Sequence, residues 1–214
     1  MVVVDDSSPD GTGVLVEQLA LQFPQIHLIT RPSKSGLGSA YIDGFKFAMA
    51  NGATRCIEID ADLSHDPSDL PRLLAHFGDN FDLVIGSRYV TGSKVLGLSK
   101  LRLALSKIGN VYAKLLLGFK VEDSTGGFRC YSADVLRSIG LDTVECEGYG
   151  FQVEMTFKAF VKGARISEIP ITFYPRRAGA SKMSIRIVFE ALIRTARLAL
   201  SKRAYAALDL ANMN

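Results

Sequence analysis

Short β-rich runs alternate with helical stretches along the first ninety residues, and the spacing of apolar positions separates the two. Residues 2–4, Val-Val-Val, read as a fragment of buried strand that runs into Asp5-Asp6 and the turn chemistry Ser7-Ser8-Pro9-Asp10-Gly11. A helix is predicted from about Thr12, with Thr12 as its N-cap, to a stop before Pro24. Residues 26–30 then read as a strand and the Gly/Ser/Pro segment 31–38 as a loop. The helix that follows reaches Asn51, where Gly52 suits the left-handed C-cap. Strands are predicted at 56–59 and 82–87, with a helix at 68–77 between them. Such alternation predicts an α/β fold with a mostly parallel sheet and helices on both faces.

The second half changes character. Residues 98–117 form a long predicted helix with Leu101, Leu105, Ile108, Tyr112 and Leu115 at helical spacing. A glycine-rich corner at 123–127 precedes a short strand and helix. Residues 149–162 read as helix, 166–173 as strand and 174–184 as a basic loop. The last helix, about 185–205, carries Arg186, Glu190, Arg194 and Arg197 on one face and Val188, Phe189, Leu192, Ile193 and Ala196 on the other. That amphipathic pattern suits a helix packed on the sheet, with a helix lying on an anionic membrane surface as the alternative. No repeat or linker divides the chain, so 1–214 reads as one domain.

Composition narrows the function classes. With 25 Lys and Arg against 22 Asp and Glu, the net charge of +3 is too small for a nucleic-acid binder. At 48% hydrophobic residues the chain can build a proper core. Charges interrupt every apolar stretch before the ~20 residues of a membrane span, and Val2 to Asp6 does not open like a signal peptide. Cys56, Cys130 and Cys146 stand far apart, and His27, His65 and His76 do not complete a zinc cluster. They read as structural thiols.

Candidate chemistry gathers at predicted strand ends. Asp5-Asp6 follows the first strand and Asp60-Ala61-Asp62 the strand at 56–59, at the sheet edge where α/β proteins bind ligands. Paired carboxylates there invite Mg²⁺ or Mn²⁺ bridging to substrate phosphates, although solvated turn residues would show the same pattern. Arg88 follows the strand at 82–87. The basic loop from Arg176 to Lys182, with Gly179 inside it, follows the strand at 166–173. A carboxylate-bound metal and several cations on one edge suit a diphosphate leaving group. Other signatures fail: Gly36-Leu37-Gly38 lacks the third glycine of a dinucleotide fingerprint, and neither a P-loop nor a Gly-x-Ser-x-Gly elbow is present.

These motifs occur in a telling order: Val4 to Thr12, Arg31-Pro32 with Gly36 to Tyr41, Asp60 to His65, Gly86 to Tyr89, Asp123 to Arg129, Gly148 to Met155 and Arg176 to Lys182. Together they resemble the dolichol-phosphate (polyprenol-phosphate) mannose synthases, GT-A glycosyltransferases of family 2, over residues 2 to about 200. The Gly-Leu-Gly-Ser-Ala-Tyr and Asp-Leu-Ser-His wording favours the mannosyl over the glucosyl branch. The resemblance implies a GT-A (Rossmann-like) fold and inverting transfer of mannose from GDP-mannose to a polyprenyl monophosphate with Mg²⁺ or Mn²⁺. It implies that Val4 and Asp6 hold the guanosine end and that Asp60, Ala61 and Asp62 touch the nucleotide sugar. Asp62 then binds the metal with Asp60, and Ser64 stands where relatives often have a further metal contact. Arg88, Arg176 and Lys182 meet phosphates, so Asp62 and Arg88 become the candidate catalytic residues. Relatives carry a Ser-Arg pair early in the long helix; here Ser106-Lys107 takes that place, as an acceptor-phosphate contact or as part of a solvated face. A glucosyl or other sugar transferase and a non-catalytic nucleotide-binding remnant remain as alternatives.

Relatives of this kind begin with one more strand and an Ile-Pro-Thr-Tyr-Asn-Glu-like segment that lines the nucleotide pocket. This chain starts at their second strand, so the first strand–helix unit is expected to be missing through an incomplete gene model or fragment. Its place lies mid-sheet, between the strands at 2–4 and 56–59. Two unpaired edges should face each other there unless those strands close up. The resemblance also implies a chain without its own span, peripheral to the cytoplasmic face of a plasma or endoplasmic-reticulum membrane, with a membrane-anchoring subunit as a candidate partner.

Overall fold

The computed structural model describes residues 1–78, 80–145, 148–175 and 192–200. The elements run β1 (Val2–Asp5), α1 (Thr12–Gln22), β2 (His27–Thr30), α2 (Leu37–Ala50), β3 (Arg55–Glu58), α3 (Leu70–Phe77), β4 (Leu83–Ser87), β5 (Lys94–Val95), α4 (Lys100–Leu117), β6 (Arg129–Ser132), α5 (Ala133–Ile139), α6 (Tyr149–Val161), β7 (Ile166–Pro170) and β8 (Thr172–Phe173). The start of α1 departs from expectation. Gly11, at φ 82°, is the N-cap and Thr12 is the first helical residue. Asp10 Oδ1 accepts from the Thr12 amide at 3.1 Å and from its hydroxyl at 2.6 Å. Asp10 thus satisfies an otherwise orphaned helix N–H, while glycine takes the left-handed turn that a β-branched residue would strain to adopt.

The central sheet has the order β3-β6-β4-β7, with β6 antiparallel to both neighbours and β7 parallel to β4. Along β4 the side chains alternate between two apolar layers. Leu83 and Ile85 join Phe45 of α2, Leu117 of α4, Leu136 of α5 and Phe151 and Met155 of α6. Val84 points the other way, to Leu73 and Phe77 of α3 and to Ile169 and Ile171. Period-two burial on both faces is what a helix-covered sheet requires. Cys56 and Cys130 are buried free thiols of this core, as expected, and burial pushes the Cys130 thiol up to about 12. Cys146 lies outside the described residues.

The strand expected at 166–173 is two strands: after Pro170 the chain leaves β4, and β8 pairs with the short β5. At the other side β1 pairs in parallel with β2 as a separate ribbon. Among the described residues, no strand pairs with the second edge of β1 or of β3. The two strands do not close up, and α2 spans the interval between them.

Leu101, Leu105, Ile108 and Leu115 of α4, which share the expected helical spacing, are 69%, 40%, 64% and 78% exposed. The buried face of α4 is instead Asn110, Ala113 and Leu117. Residues 192–200 are helical; Ile193, expected on the apolar face, is exposed, whereas Arg197 is exposed as its polar face requires, and Thr195 is buried. Leu198 and Ala199 pack against the core. The rest of the expected 185–205 helix lies outside the described residues.

Candidate active site

Three strand directions create the site. β3, β4 and β7 end at one edge of the central sheet. Because β6 runs against them, its beginning lies at that same edge, and the Asp123–Gly127 corner that precedes it is brought there too. Asp60 follows β3, Arg88 follows β4 and Asp123 comes from the corner.

Asp123 is fully buried and accepts three hydrogen bonds from Arg88: from the amide at 3.0 Å, from Nε at 2.7 Å and, on its other oxygen, from Nη2 at 2.7 Å. Nη2 also donates to Thr125 Oγ1 at 2.8 Å. The guanidinium is further flanked by the rings of Tyr89 and Phe173, at 5.2 and 5.4 Å. Burial alone would raise the Asp123 carboxyl, but the charge and hydrogen bonds of Arg88 outweigh it and hold the pKa below its usual 3.8. Asp123 was not among the expected site residues; its motif reads in sequence as turn chemistry.

Asp60 is oriented from two sides. Tyr41 of α2 donates its hydroxyl to Oδ1 at 3.0 Å while its ring stacks on Phe151 at 5.8 Å. A side chain on Gly127 would place its Cβ 3.2 Å from Asp60 Oδ2, and one on Gly126 would come within 3.3 Å of Asp123. The two glycines therefore let the corner approach both carboxylates. Below them Arg129, fully buried, donates to the carbonyls of Ser124 and Gly126 at 2.7 Å each and to Thr156 Oγ1 at 2.7 Å. Its contact with Glu58, at 3.5 Å, is too long for a hydrogen bond.

Asp62 Oδ1 accepts from the Ser64 amide at 3.0 Å across Leu63, which sits at φ 63°. A non-glycine residue held in the left-handed region beside a candidate site is strained backbone. Ala61 is exposed next to them. Ser64 is buried, with its hydroxyl 3.5 Å from His65 Nδ1 and its carbonyl accepting from the Tyr174 amide. His65 is buried between Phe128 and Phe173, and burial holds its pKa below 6.5 against the pull of Asp60 and Asp62.

The second acidic pair reaches this edge through α2. Arg31 donates from Nε to Asp6 Oδ1 at 2.6 Å, and from Nη1 to Ser39 at 2.7 Å and Asp43 at 3.2 Å. Ser39 and Asp43 lie one turn apart on α2 and Tyr41 lies between them, so the helix ties Asp6 to Asp60. The Arg31 hydrogen bond lowers the Asp6 pKa. Asp5 turns away toward α1, where a Cβ on Gly13 would be 2.9 Å from its Oδ2. Val4 faces α2 in the same manner, 3.4 Å from a Cβ built on Gly44. On α4, Ser106 accepts from the Tyr89 hydroxyl at 2.7 Å, and Lys107 Nζ is 5.8 Å from that ring. Both therefore stand at Tyr89, whose ring the Arg88 guanidinium also flanks at 5.2 Å. Arg176 and Lys182 lie outside the described residues.

Asp60 and Asp62 supply hard oxygen donors suited to Mg²⁺ or Mn²⁺. Among the described residues no group of three acidic, histidine or cysteine side chains could hold a metal. A cation at this edge would therefore take its remaining ligands from phosphate oxygens and water, the usual arrangement for Mg²⁺.

Residues 1–140 match the model of glycosyl transferase family 2. The chain is 47% identical over 203 residues to an undecaprenyl-phosphate mannosyltransferase of Micrococcus luteus, covering 95% of this chain and 83% of that protein. It is 45% identical to a polyprenol monophosphomannose synthase of Mycolicibacterium smegmatis, covering 92% and 74%. Among solved structures, it resembles Mycobacterium tuberculosis glucosyl-3-phosphoglycerate synthase in complex with phosphoglyceric acid, with a TM-score of 0.63 at 18% identity, over 94% of this chain and 67% of that one. The complex of the same enzyme with Mn²⁺, UDP-glucose and phosphoglyceric acid gives 0.63 at 19%, over 91% and 68%. These neighbours share the GT-A architecture.

Proposed function

The chain belongs to glycosyl transferase family 2 and is a glycosyltransferase, and from that premise we propose that it transfers mannose from GDP-mannose to a polyprenyl monophosphate with inversion at the anomeric carbon. The observation that carries this reading is the meeting of Asp60 with the Arg88–Asp123 fork at one strand edge, in a chain so close to two polyprenyl-phosphate mannosyltransferases. Residues 1–214 are read as a single catalytic domain, working at the cytoplasmic face of a membrane with a membrane-anchoring subunit as candidate partner.

In this reading Asp60 and Asp62 hold Mg²⁺ or Mn²⁺, with Ser64 at the rim of the set. The metal, when bound, neutralises charge on the diphosphate leaving group. Val4, Asp6 and Ala61 border the nucleotide. Arg88, with Arg176 and Lys182, meets phosphate, and Ser106 and Lys107 stand at the acceptor side. The acceptor phosphate is already anionic near neutral pH, so no strong general base is required. Its oxygen forms the new bond to the anomeric carbon as the bond to GDP breaks, and the protein's task is alignment and charge stabilisation. Asp123 serves that task by fixing the Arg88 fork before substrate arrives.

The test is incubation with GDP-mannose, a short polyprenyl phosphate and Mg²⁺ or Mn²⁺. Mannosyl lipid is expected, and product only from another sugar nucleotide would replace the donor. The edges of β1 and β3 that no strand pairs with among the described residues favour a second reading, a nucleotide-binding remnant. It predicts GDP-mannose binding without product from any donor.

A further inference from the structure

The short stretch of chain from Glu168 to Tyr174 touches every part of the candidate site. At its start Glu168, on β7, accepts from the amides of Glu122 and Asp123 at 2.7 and 2.9 Å and so holds the corner before β6. At its end the Tyr174 amide donates to the Ser64 carbonyl at 3.0 Å, which pins the turn that carries Asp62. Between them, on β8, stands Phe173.

Phe173 does not serve the core. Ile169 and Ile171 join the apolar layer of α3, while Phe173 belongs to neither apolar layer among the described residues. Its ring meets two polar side chains of the site instead. The His65 ring packs against it edge to face, with centroids 5.4 Å apart and planes at 77°. The Arg88 guanidinium carbon lies 5.4 Å from its centroid. Edge-to-face ring packing and a cation beside a π system are both attractive, and both need the aromatic ring. An aliphatic side chain would fill the space and supply neither.

The two neighbours belong to the two halves of what a metal-bound diphosphate requires. His65 closes the turn that starts at Asp62, whose Oδ1 accepts from the Ser64 amide at 3.0 Å. Arg88 is the cation fixed by Asp123. A metal at Asp62 and the guanidinium would have to meet oxygens of one diphosphate, so the spacing between them decides whether they grip it together. We propose that Phe173 is a positioning residue whose ring holds the turn at 62–65 and Arg88 at a fixed spacing, so that a divalent cation and a nucleoside diphosphate bind cooperatively. This rests on the proposed sugar-nucleotide site, and not on the identity of the sugar or the acceptor.

The test is calorimetric titration of the full chain with GDP, in the presence and absence of Mn²⁺. The wild-type chain is expected to bind GDP about tenfold or more tightly with Mn²⁺, within the usual range for two coupled sites. Phe173→Leu should reduce that gain about fivefold and leave the part that comes from direct contact of metal with phosphate. The same factor should appear in Mn²⁺ affinity measured with and without GDP, since coupling is reciprocal. Should Phe173→Leu not fold, His65→Leu carries the same expectation. It removes the ring on the other side together with a buried Nε2 that has no hydrogen-bond partner, so its melting temperature should not fall. Phe173→Tyr keeps the ring and should keep the gain. Phe81→Leu breaks a stacked pair with His76, at 5.2 Å beyond the opposite end of β4, and should keep it as well. Equal gain in wild type and Phe173→Leu overturns the inference. So does an equal loss in Phe81→Leu, or a wild type that gains nothing from Mn²⁺. A wild type with the expected gain that makes no mannosyl lipid counts against the proposed function and leaves the positioning role standing. Mannosyl lipid from a wild type whose gain survives Phe173→Leu does the reverse.

Discussion

Arg31 and Arg88 each grip a carboxylate at the candidate site, Asp6 at 2.6 Å and Asp123 at 2.7 Å, yet they rest on different foundations. Asp123 has no exposed side-chain surface, and its fork is built onto the central sheet through β4, the corner before β6 and the buried Arg129. The Asp6 side chain keeps 23% exposure, and its pair belongs to a two-stranded ribbon that meets the rest of the site through α2. One half of the edge is framework, therefore, and the other is suspended from a helix. Chemistry that needs a fixed charge belongs on the first half. The second is suited to gripping a ligand whose own contacts complete it.

The most severe way to break this contrast is Asp123→Ala. It strands the Arg88 charge in a nearly buried setting and should cost about 3 to 5 kcal/mol, read as a lower urea midpoint. Glycosyl transfer should be lost in the same variant. Gly127→Ala should come next, at about 1 to 3 kcal/mol, because its Cβ would press on Asp60 at 3.2 Å. Its diagnostic is a fall in kcat greater than the loss of stability implies. Asp6→Ala should cost only about 1 to 2 kcal/mol, since its pair is partly solvated. It should raise the KM for the sugar nucleotide while leaving kcat nearly unchanged. Equal costs for Asp6→Ala and Asp123→Ala in the urea midpoint would erase the distinction between the two halves.

The smallest effect is a slope. Asp123 and Asp6 both have depressed pKa values, so their stabilisation is complete above about 3.8 and is lost as pH falls through the folded-state values. Glu58 does the opposite. Burial raises it from 4.5 to about 8, so the folded state retains a proton that the unfolded chain releases. Stability should decline as pH rises between those two values, and Glu58→Gln should flatten the decline in melts taken across that window.

Much of the edge was legible before any coordinates. Asp60, Asp62 and Arg88 are the residues that end β-rich runs, and strand ends in an α/β sheet share an edge, so their gathering followed from topology alone. Asp123 escaped because its position depends on β6 running antiparallel, which no local pattern announces. Tyr41 escaped because an aromatic in an amphipathic helix reads as core, and most of its ring is indeed packed there. The face of α4 is a related case. Apolar residues at helical spacing specify a surface that avoids water, and whether protein or lipid covers it is decided elsewhere in the fold. The first helix start was off by one position, because Asp10 and Gly11 divide between them the work that a single N-cap usually does.

The account depends most on Asp62 acting at the candidate donor site, and its direct test is the rate of mannosyl-lipid formation from GDP-mannose by Asp62→Ala beside Asp66→Ala. Asp66, four residues on, caps a short helical turn by accepting from the Ser68 amide at 2.9 Å, so its loss should cost about 1 kcal/mol of stability and little turnover. Asp62→Ala is predicted to lower the rate by roughly a thousandfold with the fold intact. Turnover within a few fold of wild type in Asp62→Ala would contradict the account.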